Sequence, residues 1–173
     1  MKVVVISGSP RENANTEIMM KHVVDYVKQK DVELKFVNLS EGGFEYYRGW
    51  VDDYNEKTLQ AAKDIMAADV WLIGSPIYNS MYSAALKNLF EFVNYKETEG
   101  KTAGLAILAS GMVGFTDVQT LLTQLMSYFR VITNPTPVFM TADKIEDGQI
   151  TSDDVKSRLN ELVDKTLSIA KSN

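Results

Sequence analysis

Apolar positions along the chain follow two rhythms. Val3-Val4-Val5-Ile6, Val70-Trp71-Leu72-Ile73 and Thr102–Leu108 are unbroken apolar runs, the pattern of strands buried on both faces. Val32-Glu33-Leu34-Lys35-Phe36-Val37 alternates before turning apolar, which predicts an edge strand with one partly wet face. Between these runs, apolar residues recur at helical spacing: Ile18, Met19, Val23 and Val27; Leu59, Ala62, Ile65 and Met66; Leu86, Leu89, Phe90 and Val93. Leu121, Leu122 and Leu125 mark a fourth helix over 118–129. Leu159, Leu162, Val163 and Leu167 mark a last one over 155–170, with Ser152 or Asp153 as its cap. A weaker fifth strand is split between Val131-Ile132 and Val138-Phe139-Met140 by Asn134-Pro135-Thr136-Pro137.

Strand and helix thus alternate five times, which implies a single α/β domain over 1–173. The architecture expected is a three-layer sandwich: a five-stranded parallel sheet with helices on both faces. In the order 2-1-3-4-5, the loops after strands one, three and four meet at one edge, where such sheets bind ligands. These are also the three segments richest in Gly, Ser and Asn.

Composition narrows the chemistry. Lys and Arg number 18 against 23 Asp and Glu, a formal charge of −5, so nucleic acid and anionic membrane are poor partners. There is no cysteine, which excludes thiol nucleophiles, thiolate metal sites and iron–sulfur clusters, and His22 is the only histidine. No run of about 18 apolar residues is present. A cytoplasmic, soluble protein is expected. An anionic ligand would need a local device.

The first loop, Gly8-Ser9-Pro10-Arg11-Glu12-Asn13-Ala14-Asn15-Thr16, joins a buried strand to a helix start. A helix N-terminus carries unpaired N–H groups and about half a positive charge, which favours phosphate. Arg11 adds a planar fork suited to phosphate oxygens, and Ser9, Asn15 and Thr16 add small polar groups. The segment is neither a G-x-x-x-x-G-K-[ST] nucleoside-triphosphate loop nor a G-x-G-x-x-G dinucleotide loop. The blander reading is a turn with a helix cap. The second loop, Ser75 to Ser83, carries Pro76, Tyr78, Met81 and Tyr82, an apolar wall for a flat amphipathic ring or a plug for the core end. The third, Ala109 to Phe115, offers flexible backbone at the same edge.

With these motifs the chain resembles the NAD(P)H-dependent FMN reductase family of the flavodoxin-like superfamily. Gly8-Ser9-Pro10-Arg11 with Asn15-Thr16 is similar to its phosphate loop. Pro76-Ile77-Tyr78-Asn79 followed by Leu86-Lys87-Asn88 is similar to its proline–tyrosine–asparagine loop and leucine–lysine–asparagine helix. Ser110-Gly111-Met112-Val113-Gly114 stands in the place of its glycine-rich third loop. The family has glycine where Ser80 stands and proline where Ser83 stands, and Ser110 and Phe115 replace glycines of the third loop. The resemblance implies that Ser9, Arg11, Asn13, Asn15 and Thr16, with the amides of 12–16, hold the phosphate of FMN. It places Pro76, Ile77, Tyr78 and Asn79 against the isoalloxazine, and Ser110 and Gly111 at its polar edge. Lys87 and Asn88 order the helix and loop or meet a second subunit. The activity implied passes hydride from NADPH or NADH to flavin and on to a small-molecule acceptor: free flavin, a quinone, an azo compound or a metal ion. A homodimer is implied, and no catalytic side chain is required because the flavin carries the chemistry.

The principal alternative is a flavodoxin-type electron carrier. A phosphorylation receiver lacks its acidic pocket, and a serine hydrolase lacks a G-x-S-x-G elbow. His22 reads as a helix residue, Asp52-Asp53 as a solvated loop, and Asp143 to Gly148 as a turn. The aromatic segment 42–54, with Phe44, Tyr46, Tyr47, Trp50 and Tyr54, either packs over the sheet edge or forms a lid or subunit surface.

Overall fold

The computed structural model describes residues 1–49, 51 and 53–172. The chain runs β1 (Lys2–Ser7), α1 (Asn15–Val27), β2 (Glu33–Asn38), α2 (Glu56–Ala67), β3 (Val70–Pro76), α3 (Ala84–Glu91), β4 (Thr102–Ala109) and α4 (Phe115–Tyr128). It continues through β5 (Ile132–Thr133), β6 (Val138–Thr141), β7 (Ile145–Glu146), β8 (Gln149–Ile150) and α5 (Asp153–Ser172). The main sheet is parallel in the order β2-β1-β3-β4, and β5 and β6 both pair with β4. The fifth sheet position is therefore held by two short strands, split where the sequence predicts. Pro135 and Pro137 remove two ladder donors. Buried Asn134 bridges the gap: its N–H reaches the Ala103 carbonyl at 2.7 Å, and its Nδ2 reaches Thr166 Oγ1 at 3.0 Å.

Continuous apolar strands bury both faces. Val4, Ile6, Trp71, Ile73, Leu105 and Ile107 face α2, α3 and α4, while Val3, Val5, Val70, Leu72, Ala106 and Leu108 face α1 and α5. β2 is the wet edge, with only Val37 and Asn38 of its residues buried. Met19 and Met126 are core residues. His22 bonds Asn160 across α1 and α5 at 3.0 Å, a structural contact.

One helix ends earlier than the sequence pattern, and the turn expected over 143–148 is present. α3 ends at Glu91, before Val93 of its apolar pattern, and Asn94 caps a separate 3₁₀ turn, Tyr95–Glu97. Asp143 to Gly148 includes a hairpin turn between β7 and β8, with Asp147 and Gly148 at φ 47° and 74°. Tyr47 and Tyr54 of the aromatic segment pack on the α2–α3 layer, while Phe44 borders a cleft with Phe36, Val37 and Asn38 of the edge strand β2. Tyr47 stacks on Tyr54 with centroids 6.4 Å apart, and both meet the edge of Phe92 at 5.2 and 4.7 Å. Asn88 fastens it, accepting the Tyr47 N–H and donating to the Glu45 carbonyl, each at 2.8 Å. Trp50 and Asp52 lie outside the described residues, and Asp53 pairs with Arg48 at 3.1 Å.

Candidate functional site

The loops after β1, β3 and β4 converge at the carboxyl ends of the strands. Gly8 N–H donates to the Gly74 carbonyl at 2.8 Å, and a Cβ at Gly8 would stand 2.7 Å from that oxygen. Only glycine permits this approach. The Gly8 carbonyl accepts a hydrogen bond from Ser83, the residue that begins α3. Ser9 is fully buried, its hydroxyl 2.8 Å from the Tyr78 hydroxyl and accepting the Arg11 N–H at 3.3 Å. The first and second loops are thus fastened together at two points.

The second loop ends in a tight hairpin. Tyr78 and Met81 exchange backbone hydrogen bonds at 2.9 and 3.0 Å, with Asn79 and Ser80 at φ 50° and 64°. This is the geometry of a type I′ turn, for which an Asn-Gly pair is preferred. Gly114, at φ 88°, begins α4, and a Cβ there would lie 3.4 Å from Ile77. The third loop therefore leans on the second. Met112 and Val113 project from it, 80% and 81% exposed, and Met81 of the second loop is half-exposed.

Helix capping separates two kinds of helix. α2, α3 and α5 are capped by Asn55, Ser83 and Ser152. α1 and α4, which follow the first and third loops, begin at Ala14 and Gly114 with no side-chain cap. Ala is a poor N-cap, worth about 1 kcal/mol less than Ser or Asn. Among the described residues no acceptor meets the backbone N–H of Glu12, Asn13, Asn15 or Thr16. Arg11 is exposed and has no acidic partner among them. In the first turn of α1, Glu17 is held below the usual carboxylate range by Lys21, against the effect of burial and with help from Ser40. Its charge is thereby compensated and turned to the β2 side, where Ser40 donates to it at 2.8 Å.

A cavity of about 270 Å³ opens between the three loops. Arg11, Asn13, Asn15, Thr16, Pro76, Ile77, Tyr78 and Ser110 line it, together with Ala14, Leu108 and Ala142. Donors at one end and apolar walls at the other suit an anionic group joined to a flat ring. The model of the NADPH-dependent FMN reductase family matches residues 1–146. The chain belongs to this family.

Individual relatives agree with that membership. An NAD(P)H-dependent FAD/FMN reductase of Geobacillus thermodenitrificans is 25% identical over 166 residues, covering 94% of this chain and 89% of the relative. An FMN-dependent NADPH-azoreductase of Staphylococcus aureus is 26% identical, covering 76% and 69%. The fold matches that of FerB, a flavoenzyme NAD(P)H:(acceptor) oxidoreductase from Paracoccus denitrificans, with a TM-score of 0.79 at 22% identity, covering 99% and 97%.

Against the family pattern, three expected site residues stand off the cavity wall. Ser9 lies beneath it, Asn79 sits at the exposed hairpin tip, and Gly111 is in the exposed third loop. Leu108 and Ala142 were not singled out by motif. Each lies at or just after the carboxyl end of a strand, β4 and β6, so topology alone could have found them. Ser83 stands where the family has proline, yet it caps α3 by accepting the Leu86 N–H at 3.0 Å while holding Gly8. A serine immediately before a helical pattern is the signal that marks it. Among the described residues no group of three or more potential metal ligands occurs, and no helix is long and apolar enough to cross a membrane.

Proposed function

We propose that the cavity binds FMN and that the chain works as an NAD(P)H-dependent flavin oxidoreductase. The observation that carries this reading is the run of unpaired amides at the uncapped start of α1, beside unpaired Arg11. Backbone N–H groups left without acceptors at a helix N-terminus are suited to a phosphate. Arg11, Asn13, Asn15 and Thr16, with these amides, would hold the phosphate monoester. Pro76, Ile77 and Tyr78 would form the wall beside the isoalloxazine, with Asn79, Ser110 and Gly111 near its rim. The cavity is small for a cofactor site, so the ring would extend over the exposed loops carrying Met81, Met112 and Val113.

Bound FMN would supply the hydride-accepting and hydride-donating chemistry. The protein's part is to hold the phosphate end rigidly and leave one ring face open. NADPH or NADH and then a small-molecule acceptor would use that face in turn. Free flavin, a quinone, an azo compound or a metal ion would suit an open, largely apolar approach. We further propose that the protein works in the cytoplasm as a homodimer, with exposed Tyr46 and Met81 and half-buried Tyr82 near the subunit contact. Sedimentation at micromolar concentration should then give a two-chain species; a one-chain species alone would refute the dimer. For the cofactor, FMN titration should quench flavin fluorescence with saturation, and absence of quenching would refute the reading.

A further inference from the structure

Tyr78 lines the cavity, and its hydroxyl lies 2.8 Å from Ser9 Oγ. Ser9 belongs to the phosphate loop, two residues before Arg11, so the phenol reaches the donor-rich end of the cavity. The direction of this hydrogen bond follows from counting protons. Ser9 Oγ already accepts the Arg11 amide at 3.3 Å, and the residue is fully buried. If Tyr78 donated to Ser9, the Ser9 proton would be stranded where water does not reach, a costly arrangement. If Ser9 donates to Tyr78, the buried Ser9 hydroxyl is satisfied both as donor and as acceptor. The phenolic proton is then left over on half-exposed Tyr78, free to donate to water or to an acceptor that enters the cavity. Accepting from Ser9 also polarises the phenol and makes it a better donor.

We infer that the Tyr78 hydroxyl donates to the phosphate of the bound flavin, with Ser9 as the positioning residue beneath it. This rests on the FMN-binding reading above and redistributes the roles within it. Ser9 acts on the phosphate through Tyr78, and Tyr78 serves the anionic end of the ligand as well as presenting its ring. Arg11, the free amides of α1 and the phenol would then meet the phosphate from different sides.

The test uses the full chain, with FMN and riboflavin as paired probes, because riboflavin lacks the phosphate. Each is titrated into wild type, Tyr78→Phe and Ser9→Ala by flavin fluorescence, and bound FMN is followed by phosphorus NMR. Tyr78→Phe should weaken FMN about five- to twenty-fold and change riboflavin by less than about twofold, the size of one hydrogen bond to a charged group. Ser9→Ala should give a smaller loss with the same FMN bias, and both variants should move the bound-phosphate resonance. Equal losses for the two flavins, or unchanged FMN affinity and resonance in Tyr78→Phe, would overturn the inference alone. A wild type that binds neither flavin would overturn the cofactor reading as well.

Discussion

Ser83 offers a sharp test of how the site is held together. Its hydroxyl is buried, caps α3 by accepting the Leu86 N–H at 3.0 Å, and donates to the Gly8 carbonyl. Ser83→Ala removes both bonds and leaves buried Gly8 with an unpaired acceptor. Loss of a cap costs about 1 kcal/mol and a stranded buried carbonyl about 1–3 kcal/mol, so about 2–4 kcal/mol is expected in total. For a domain of this size that is a fall in Tm of about 4–16 °C. Ser83→Pro makes the contrast informative. The backbone there has φ −64°, which a proline ring adopts without strain, and the Ser83 N–H donates to no group among the described residues. Proline should lose the same two bonds but regain about 0.5–1 kcal/mol by restricting the unfolded chain. The stability order expected from urea unfolding without flavin is wild type, then Ser83→Pro, then Ser83→Ala. A Ser83→Ala protein as stable as wild type would refute the role assigned to this hydroxyl.

Three further perturbations probe separate parts of the account. Ser80→Gly relieves a side chain at φ 64° in the type I′ turn and should stabilise by about 0.5–1 kcal/mol in urea unfolding. Glu17 has its folded carboxyl held below the ordinary value of 4.5, so its contribution is present above that pH and lost as pH falls through the folded value. Glu17→Gln should therefore unfold with a shallower acid dependence of Tm below that point, and an unchanged slope would contradict the Lys21 and Ser40 contacts. Arg11→Ala should weaken FMN by about tenfold or more and riboflavin little, because among the described residues the guanidinium is the one cation lining the cavity. Equal weakening in paired titrations would count against it.

The sheet was legible because both faces of β1, β3 and β4 are buried, which forces unbroken apolar runs. The split of the last strand was legible from Pro135 and Pro137. Helix ends were less so: α4 starts at Phe115, three residues before its apolar pattern, because Gly114 turns the chain at positive φ. The two-residue strands β7 and β8 are too short to show a period. At the site, eight residues expected from motif do line the cavity, since local sequence sets both loops. The burial of Ser9 and the reach of Ser83 to Gly8 are contacts across 69 and 75 residues of sequence, which no local pattern carries. Tyr47 and Tyr54 likewise find Phe92 only in the folded chain, which is why the aromatic segment could not be assigned to a helix layer from its composition.

The acidic chain needs a confined device to hold an anion, and on the proposed reading that device would be built mostly from backbone. Ala14 leaves the start of α1 open, Gly8 brings the loop against β3, and Ser83 and Tyr78 brace it from the second loop. The most direct test of the central claim is anaerobic mixing of the FMN-loaded protein with NADPH or NADH, following the visible flavin absorbance. The account expects rapid bleaching, restored when a quinone or free flavin is added. Flavin that binds tightly but stays oxidised with both nicotinamides would contradict it.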